Sequence, residues 1–306
     1  MNKRKMYFVF IISLCMAINI VMPTQGRTYT ALRMVVLRSI DGYNISMSNG
    51  SPITTTPIVG SRLRCGTIIT TYDKTSANIQ IDNESNLTMP EQSQIQVTST
   101  GTELSISLRS GYIAMYIGRQ DEGNSIVCRA GTLGLIARGT MFTMGREATS
   151  EVVVITMLSG YADVYFAGKQ EPITLPAGQT MRVDDTIRTP GQASAIITDV
   201  DLEAVSLFTL QTIYVNQEYL INKGGILAEV LLDVLETEGG LTALLEEREA
   251  EQAEIQEQQQ AAQNEILEQS GLLDDATIAE PPWAESTPID IPTPPTTSPA
   301  ALNITW

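Results

Sequence analysis

Apolar and polar residues alternate one for one through Ile79-Gln80-Ile81, Ile95-Gln96-Val97 and Leu104-Ser105-Ile106-Ser107-Leu108. That is the period of a strand with one buried face. Val152-Val153-Val154-Ile155 is apolar on both faces, as in a strand covered on both sides. Gly42, Pro52, Gly60, Gly66, Pro90, Gly101, Gly111 and Gly123 supply turn signals throughout this stretch. Short strands so punctuated predict an all-β domain over residues 31–195, built as stacked sheets, a sandwich or a roll. From residue 199 the period changes. Leu202, Val205, Leu207, Phe208, Leu210 and Ile213 fit one helix, with Asp199 or Asp201 as its cap and Lys223-Gly224-Gly225 as its end. Ile226-Leu227, Val230-Leu231 and Val234-Leu235 predict a second helix, stopped by Gly239-Gly240. Residues 241–269 are rich in Glu, Gln and Ala, with apolar positions too sparse for a strong heptad. A solvated acidic helix is expected there in preference to a coiled coil. The sequence thus divides into a helical acidic region over 199–270 and an extended, disordered Pro/Thr-rich tail over 271–306.

The β region also repeats itself. Ser110-Gly111-Tyr112-Ile113-Ala114-Met115-Tyr116 matches Ser159-Gly160-Tyr161-Ala162-Asp163-Val164-Tyr165, and Asp41-Gly42-Tyr43 opens a weaker third copy. Pro52-Ile53-Thr54 leads to Gly60 as Pro172-Ile173-Thr174 leads to Gly178, and both stretches from Gly42 and Gly160 span 18 residues. One such unit cannot bury its own apolar face, so copies are expected to stack or pair.

Charge sharpens the division. Residues 27–200 carry 14 basic and 15 acidic side chains, whereas residues 201–306 carry 2 and 20. The whole 306-residue chain has a net charge of −16, which argues against a nucleic-acid partner. It contains no histidine, so Ser-His and Cys-His nucleophiles and His-ligated metal sites are excluded. Lys3-Arg4-Lys5, an apolar run from Met6 to Met22, and Thr24-Gln25-Gly26 compose a signal peptide over residues 1–26. The competing reading is an uncleaved signal anchor, which would make this segment the protein's membrane contact. Either way the expected location is extracytoplasmic: secreted, periplasmic or on the cell surface. Beyond the leader only Cys65 and Cys128 remain. They are a pair available for a disulfide, or else two buried small hydrophobes.

Several blocks in order resemble the FecR-type domain, the iron-dicitrate sensor-like family. They are Leu63 to Thr70 with Ser76-Ala77-Asn78-Ile79-Gln80-Ile81, then Leu108-Arg109-Ser110-Gly111-Tyr112-Ile113, then Ala137-Arg138-Gly139-Thr140-Met141-Phe142. Leu158 to Val164 and Leu175-Pro176-Ala177-Gly178-Gln179 complete the series over roughly residues 60–185. The resemblance implies an exported all-β sensor or scaffold domain without an active site. Named family members join this domain to a membrane span and a cytoplasmic anti-sigma segment. Only five residues precede the apolar run here, so the stand-alone exported type is expected and sigma-factor control is not carried over.

No cofactor or metal site is read from the sequence. Within the Arg138-Gly139-Thr140-Met141-Phe142 motif, Gly139 is expected to supply a turn or bulge, Phe142 to fill the core and Arg138 to pair internally. Grip on an anionic ligand by Arg138 is the competing reading. Tyr112, Tyr116, Tyr161 and Tyr165 recur at matching places, each pair four apart on one strand face. They form either ordinary sheet packing or an exposed ladder suited to binding. The expected function is a non-enzymatic binding, sensor or scaffold module of the cell envelope, with a protein or glycan partner. The alternatives are a signal-anchored envelope sensor and a carboxylate-dependent glycan-active enzyme.

Overall fold

A computed structural model describes residues 34–42, 44–49, 55–120, 123–146, 152–165, 171–184, 195–237 and 239–269. The leader, the Pro-rich tail, Tyr43 and the Pro52-Ile53-Thr54 block lie outside the described residues. The chain runs as bent strands, each leg of which lies in a different sheet. β1 (Val35–Asp41) turns into β2 (Ile45–Ser48), β3 (Ile68–Thr71) into β4 (Ser76–Ile81), and β5 (Ser85–Met89) into β6 (Gln94–Thr100). β7 (Glu103–Ile117) is one unbroken strand of 15 residues that serves both sheets. After β8 (Ser125–Ala130) the bends resume. β9 (Leu133–Ala137) leads to β10 (Thr140–Arg146), β11 (Val152–Ser159) to β12 (Tyr161–Tyr165), and β13 (Ile173–Pro176) to β14 (Gln179–Asp184), before β15 (Ala195–Asp199).

The first sheet has the order β1-β4-β5-β7-β10-β11-β14-β15, antiparallel throughout. The second has the order β2-β3-β6-β7-β8-β9-β12-β13, with β7 and β8 its parallel pair. Most bent strands pair on both legs with the next in the chain. β8 is the exception, inserted between β7 and β9 in the second sheet alone. The alternation read from the sequence sets which side faces in. Ile79, Ile81, Leu87 and Phe142 of the first sheet share a single buried core with Ile69, Ile95, Ile106 and Leu135 of the second. Phe142 is fully buried in it. Phe142→Ala should therefore cost about 3–5 kcal/mol of unfolding free energy, read as a fall in the urea midpoint.

The corners where strands change sheets have a shared construction. Gly42, Gly111 and Gly160 all have positive φ (97°, 80° and 74°), a conformation that glycine adopts without strain. Each lies against the corner of an adjacent bent strand: Lys74-Thr75, Gln92-Ser93 and Gly139-Thr140 respectively. The first residue of each of those corners also has positive φ, 55° at Lys74, 54° at Gln92 and 63° at Gly139. Thr75 Oγ1 accepts the Asn44 N–H at 3.0 Å and Ser93 Oγ the Tyr112 N–H at 3.0 Å. At the third corner the Thr140 hydroxyl is buried without a hydrogen-bond partner among the described residues. There Met141 N–H donates to Ser159 Oγ instead, at 3.1 Å.

Helices cover part of the outer face of the first sheet. They are α1 (Leu207–Val215), α2 (Gln217–Lys223), α3 (Ile226–Leu235) and the opening turns of α4 (Gly240–Gln269), through Leu241 and Leu245. Leu210, Ile213, Leu220, Leu227, Leu231, Leu241 and Leu245 form a second core with Met141 and Leu158 of the sheet. The expected start of the first helix is corrected. Its cap is Ser206, whose Oγ accepts the Thr209 N–H at 3.2 Å. Asp199 ends β15, and Asp201 Oδ1 accepts the Glu203 N–H in a separate turn at 3.0 Å. Leu202 and Val205 thus join the second core from outside the helix. Gly240 opens α4 instead of merely stopping α3. Residues as far as Arg248 belong to one compact unit and those from Glu249 to another. In the second unit the side chains of residues 249–266 are exposed. No helix among the described residues is long and apolar enough to cross a membrane.

Candidate functional site

The four tyrosines do not form one ladder. Gly111 carries β7 from the second sheet into the first, whereas Gly160 separates β11 of the first from β12 of the second. The two Gly-Tyr blocks therefore cross in opposite directions, and their tyrosines end on different sheets. Tyr112 lies 6.2 Å from Phe208, centroid to centroid, at 51°. Tyr116 meets Tyr219 edge-on at 6.2 Å and 86°. Lys223 Nζ sits 5.3 Å over the Tyr219 ring, a cation–π contact. Tyr161 and Tyr165 are 62% and 40% exposed on β12.

The Arg138-Gly139-Thr140-Met141-Phe142 motif is the third sheet-changing corner. Gly139 makes the turn and Phe142 enters the core, as expected from the sequence. Arg138 departs from expectation: it is exposed and makes no ion pair among the described residues. Its position at the outside of the corner leaves the guanidinium in solvent.

Cys65 and Cys128 are both free, Cys65 exposed and Cys128 buried. The topology explains why. Cys128 pairs with Ile106 of β7, and Ile106 with Val97 of β6. Gly66 next to Cys65 donates its N–H to Val97 O from the far side of β6. Two strand spacings of ~4.8 Å exceed the ~7 Å Cα separation that a disulfide tolerates. Cys65 Sγ instead lies 3.4 Å from Ser99 N and 3.6 Å from Ser99 O. Burial pushes the Cys128 thiol up to about 12. In the folded protein Cys65 should react with a maleimide at neutral pH while Cys128 stays unlabelled until denaturant is added. The folded pKa of Cys128 lies above its unfolded value of 9.0. Its contribution to stability is therefore complete below pH 9 and declines above it at about 1.4 kcal/mol per pH unit. Cys128→Ala should flatten the alkaline limb of a pH–stability curve.

On the outer face of the first sheet, short polar residues stand in register from edge to edge, interrupted at Ala114. Ser39 pairs with Asn78, Asn78 with Thr88, and Thr88 with Ala114. Beyond Ala114 the partners are Thr143, Thr156, Thr180 and Thr198 in turn. α1 is fastened where this row meets β10, through Thr143 and Thr209, whose hydroxyls are 2.9 Å apart. Ser206 Oγ, besides capping the helix, donates to Thr209 Oγ1 at 2.9 Å. Two open grooves flank that contact. The larger, about 750 Å³, has Ser39, Asn78, Asn86 and Thr88 on its floor and Tyr116, Phe208 and Tyr219 among its walls. Among the described residues Arg38 is the one charged side chain that lines it, and its Nε–H donates to Gln80 Oε1. The smaller, about 330 Å³, takes in Thr156, Thr180 and Thr198 with Arg182, Asp199 and Asp201. Neither groove was visible in the sequence. A row that uses one residue from each of eight strands leaves no local period.

Comparison with known proteins bears on the β body. The family model described as FecR protein matches residues 67–163. The chain carries a FecR-type domain. The matched stretch runs from the turn before β3 into β12, so it contains the Ser93–Gly111 and Thr140–Gly160 corners and most of the floor of the larger groove. A crystal structure of a candidate anti-sigma factor from Parabacteroides distasonis ATCC 8503, at 1.65 Å, is similar to this chain with a TM-score of 0.39 and 12% identity. That likeness covers 47% of this chain and 64% of the other. A second from the same organism, at 2.50 Å, gives a TM-score of 0.32 and 10% identity, over 58% and 65%. The chain thus spans just under two thirds of the length of each. Among curated proteins there is no match. The Ser/Thr partners that nest the corner glycines of the FecR-type domain were missed by sequence reading. The signal for them was a Ser or Thr directly after a turn residue, at positions 75, 93 and 140.

Proposed function

We propose that this FecR-domain protein is an exported sensor or scaffold module of the cell envelope that binds a partner and carries out no chemistry on it. One observation carries the reading: the larger groove offers amides, hydroxyls and aromatic rings, but no carboxylate, among its described lining residues. Concave sites with a few directed polar groups and aromatic walls are suited to holding a ligand. Acid–base work on a glycan instead needs converging carboxyl groups. Asp199 and Asp201 do line the smaller groove, but the Asp201 carboxylate is engaged by the Glu203 N–H of its own turn. The basic and apolar leader supports export, and the FecR-type match supports a sensor role.

The test is co-sedimentation of the purified protein with envelope material from its own cells, with chromatography of the supernatant. Binding without release of soluble fragments is expected. Fragments released above the buffer control would overturn the non-enzymatic reading, and failure to sediment would overturn binding. The mature protein should begin at Arg27; an intact Met1 on cytosolic protein would overturn export.

A further inference from the structure

We propose that the larger groove, between α1–α2 and the outer faces of β1, β4, β5 and β7, takes a neutral oligosaccharide. The inference rests on the binding reading above and names the class of ligand.

The groove's chemistry selects that class by several independent features. Its floor is a lattice of short polar side chains rather than an apolar trough. Asn86 and Ser39 make no side-chain hydrogen bond among the described residues, nor do the hydroxyls of Tyr116 and Tyr219. Asn78 Oδ1 is engaged by the Thr88 hydroxyl at 3.4 Å, which leaves its amide N–H groups to point at a ligand. The floor therefore offers donors and acceptors together, as a chain of sugar hydroxyls requires. A polyanionic ligand has little to hold it, since Arg38 is the one ionic group among the described lining residues, a single cation whose Nε–H is given to Gln80.

A peptide in extended form is also disfavoured. It would need an unpaired strand edge to add to, but β4, β5 and β7 are each paired on both sides in this sheet, and the outer edge of β1 is bonded from Val35 to Leu37 by Gly60, Ser61 and Leu63. The half-buried rings of Tyr116, Phe208 and Tyr219 supply apolar surface beside the polar floor. The C–H face of a pyranose pairs with such rings while its hydroxyls turn to the amides. Repeat length agrees as well. Ser39, Asn78 and Thr88 stand on adjacent strands, ~4.8 Å apart, close to the advance of one pyranose unit along an extended chain. A groove of about 750 Å³ lies in the range of sites that enclose a ligand of several rings.

Calorimetric titration of the full chain with two neutral tetrasaccharides, of N-acetylglucosamine and of glucose, tests this, with a tetragalacturonate as the charged control. At least one neutral tetramer should bind, and more tightly than the uronate. Asn78→Ala combined with Asn86→Ala should weaken it about tenfold or more. Both residues are exposed on their strands, so the melting temperature should stay nearly constant. Thr180→Val, in the smaller groove, should leave binding unchanged. Absence of binding by both neutral tetramers at millimolar concentration overturns the inference, as does tighter binding of the uronate or indifference to the double substitution. If the sugars fail while envelope co-sedimentation persists, the ligand class is wrong and the binding function stands. If both fail, the binding function falls too.

Discussion

Ending the chain after Asp199 should leave a β domain that melts earlier and less cooperatively and binds a hydrophobic dye. The two sheets share their own core and the sequence pattern predicts that residues 31–190 fold alone, but the outer face of the first sheet is not finished by strands alone. Leu158 and Met141 are 2% and 8% exposed because Leu210, Ile213, Leu227 and their neighbours cover them. Tyr112 and Tyr116 lose Phe208 and Tyr219 in the same cut. Uncovering a large apolar side chain costs about 1.5–3 kcal/mol. Two or three of them put about 3–9 kcal/mol at stake, comparable with the whole net stability of many domains. A truncated chain with an unchanged, sharp melt and no dye binding would show that the helical layer adds nothing to the sheet.

Gly111→Ala should be nearly as damaging, through a different mechanism. At φ +80° an added Cβ would meet the Ser93 hydroxyl and lie 2.6 Å from both Gln92 O and Ser93 Cα. The left-handed conformation alone costs a non-glycine residue about 1–2 kcal/mol. The clash adds about 1–3 kcal/mol, because Gln92 O and Ser93 Cα are backbone and cannot swing aside like a side-chain tip. Retreat of Ser93 would also break the hydrogen bond its Oγ accepts from the Tyr112 N–H. Gly101 is the control: its φ is +61° and an added Cβ meets nothing within 4 Å. In urea titrations Gly101→Ala should lose only the cost of backbone strain, and Gly111→Ala about 2–5 kcal/mol. Equal losses would show that corner nesting is unimportant.

These two cases mark where sequence reading succeeds and where it stops. The alternation in Ile79-Gln80-Ile81 and Leu104 to Leu108 was enough to identify strands and their inner faces, because burial on one side leaves a local trace. The Gly-Tyr blocks were visible too. What they do was not, since a corner is defined by the strand it nests against: Gly111 needs Ser93, and Gly160 needs Thr140. The direction of each crossing, which sends Tyr112 beneath Phe208 and Tyr161 to solvent, is likewise a property of the whole meander. The α1 cap was misplaced because Asp201 and Ser206 both start a turn, and only the turn at Ser206 continues into a helix. The groove could not be read at all. Ser39, Asn78, Asn86, Tyr116 and Tyr219 come from well-separated stretches, and only the register of four strands and the landing place of α2 bring them together.

The solitary insertion of β8 has a consequence for how the molecule assembles. Up to β7, pairing on both legs of each bent strand proceeds neighbour by neighbour, so every new strand docks on one already in place, and the entropic cost of closing each connection rises only slowly with its length. β7 must then hold four partners, β5, β6, β8 and β10, two of which come later in the chain. Its parallel match to β8 requires the chain to cross back between sheets before β10 can close on the other leg. That detour is where local zippering gives way to a search, and it makes β7 the natural place for the rate-limiting step.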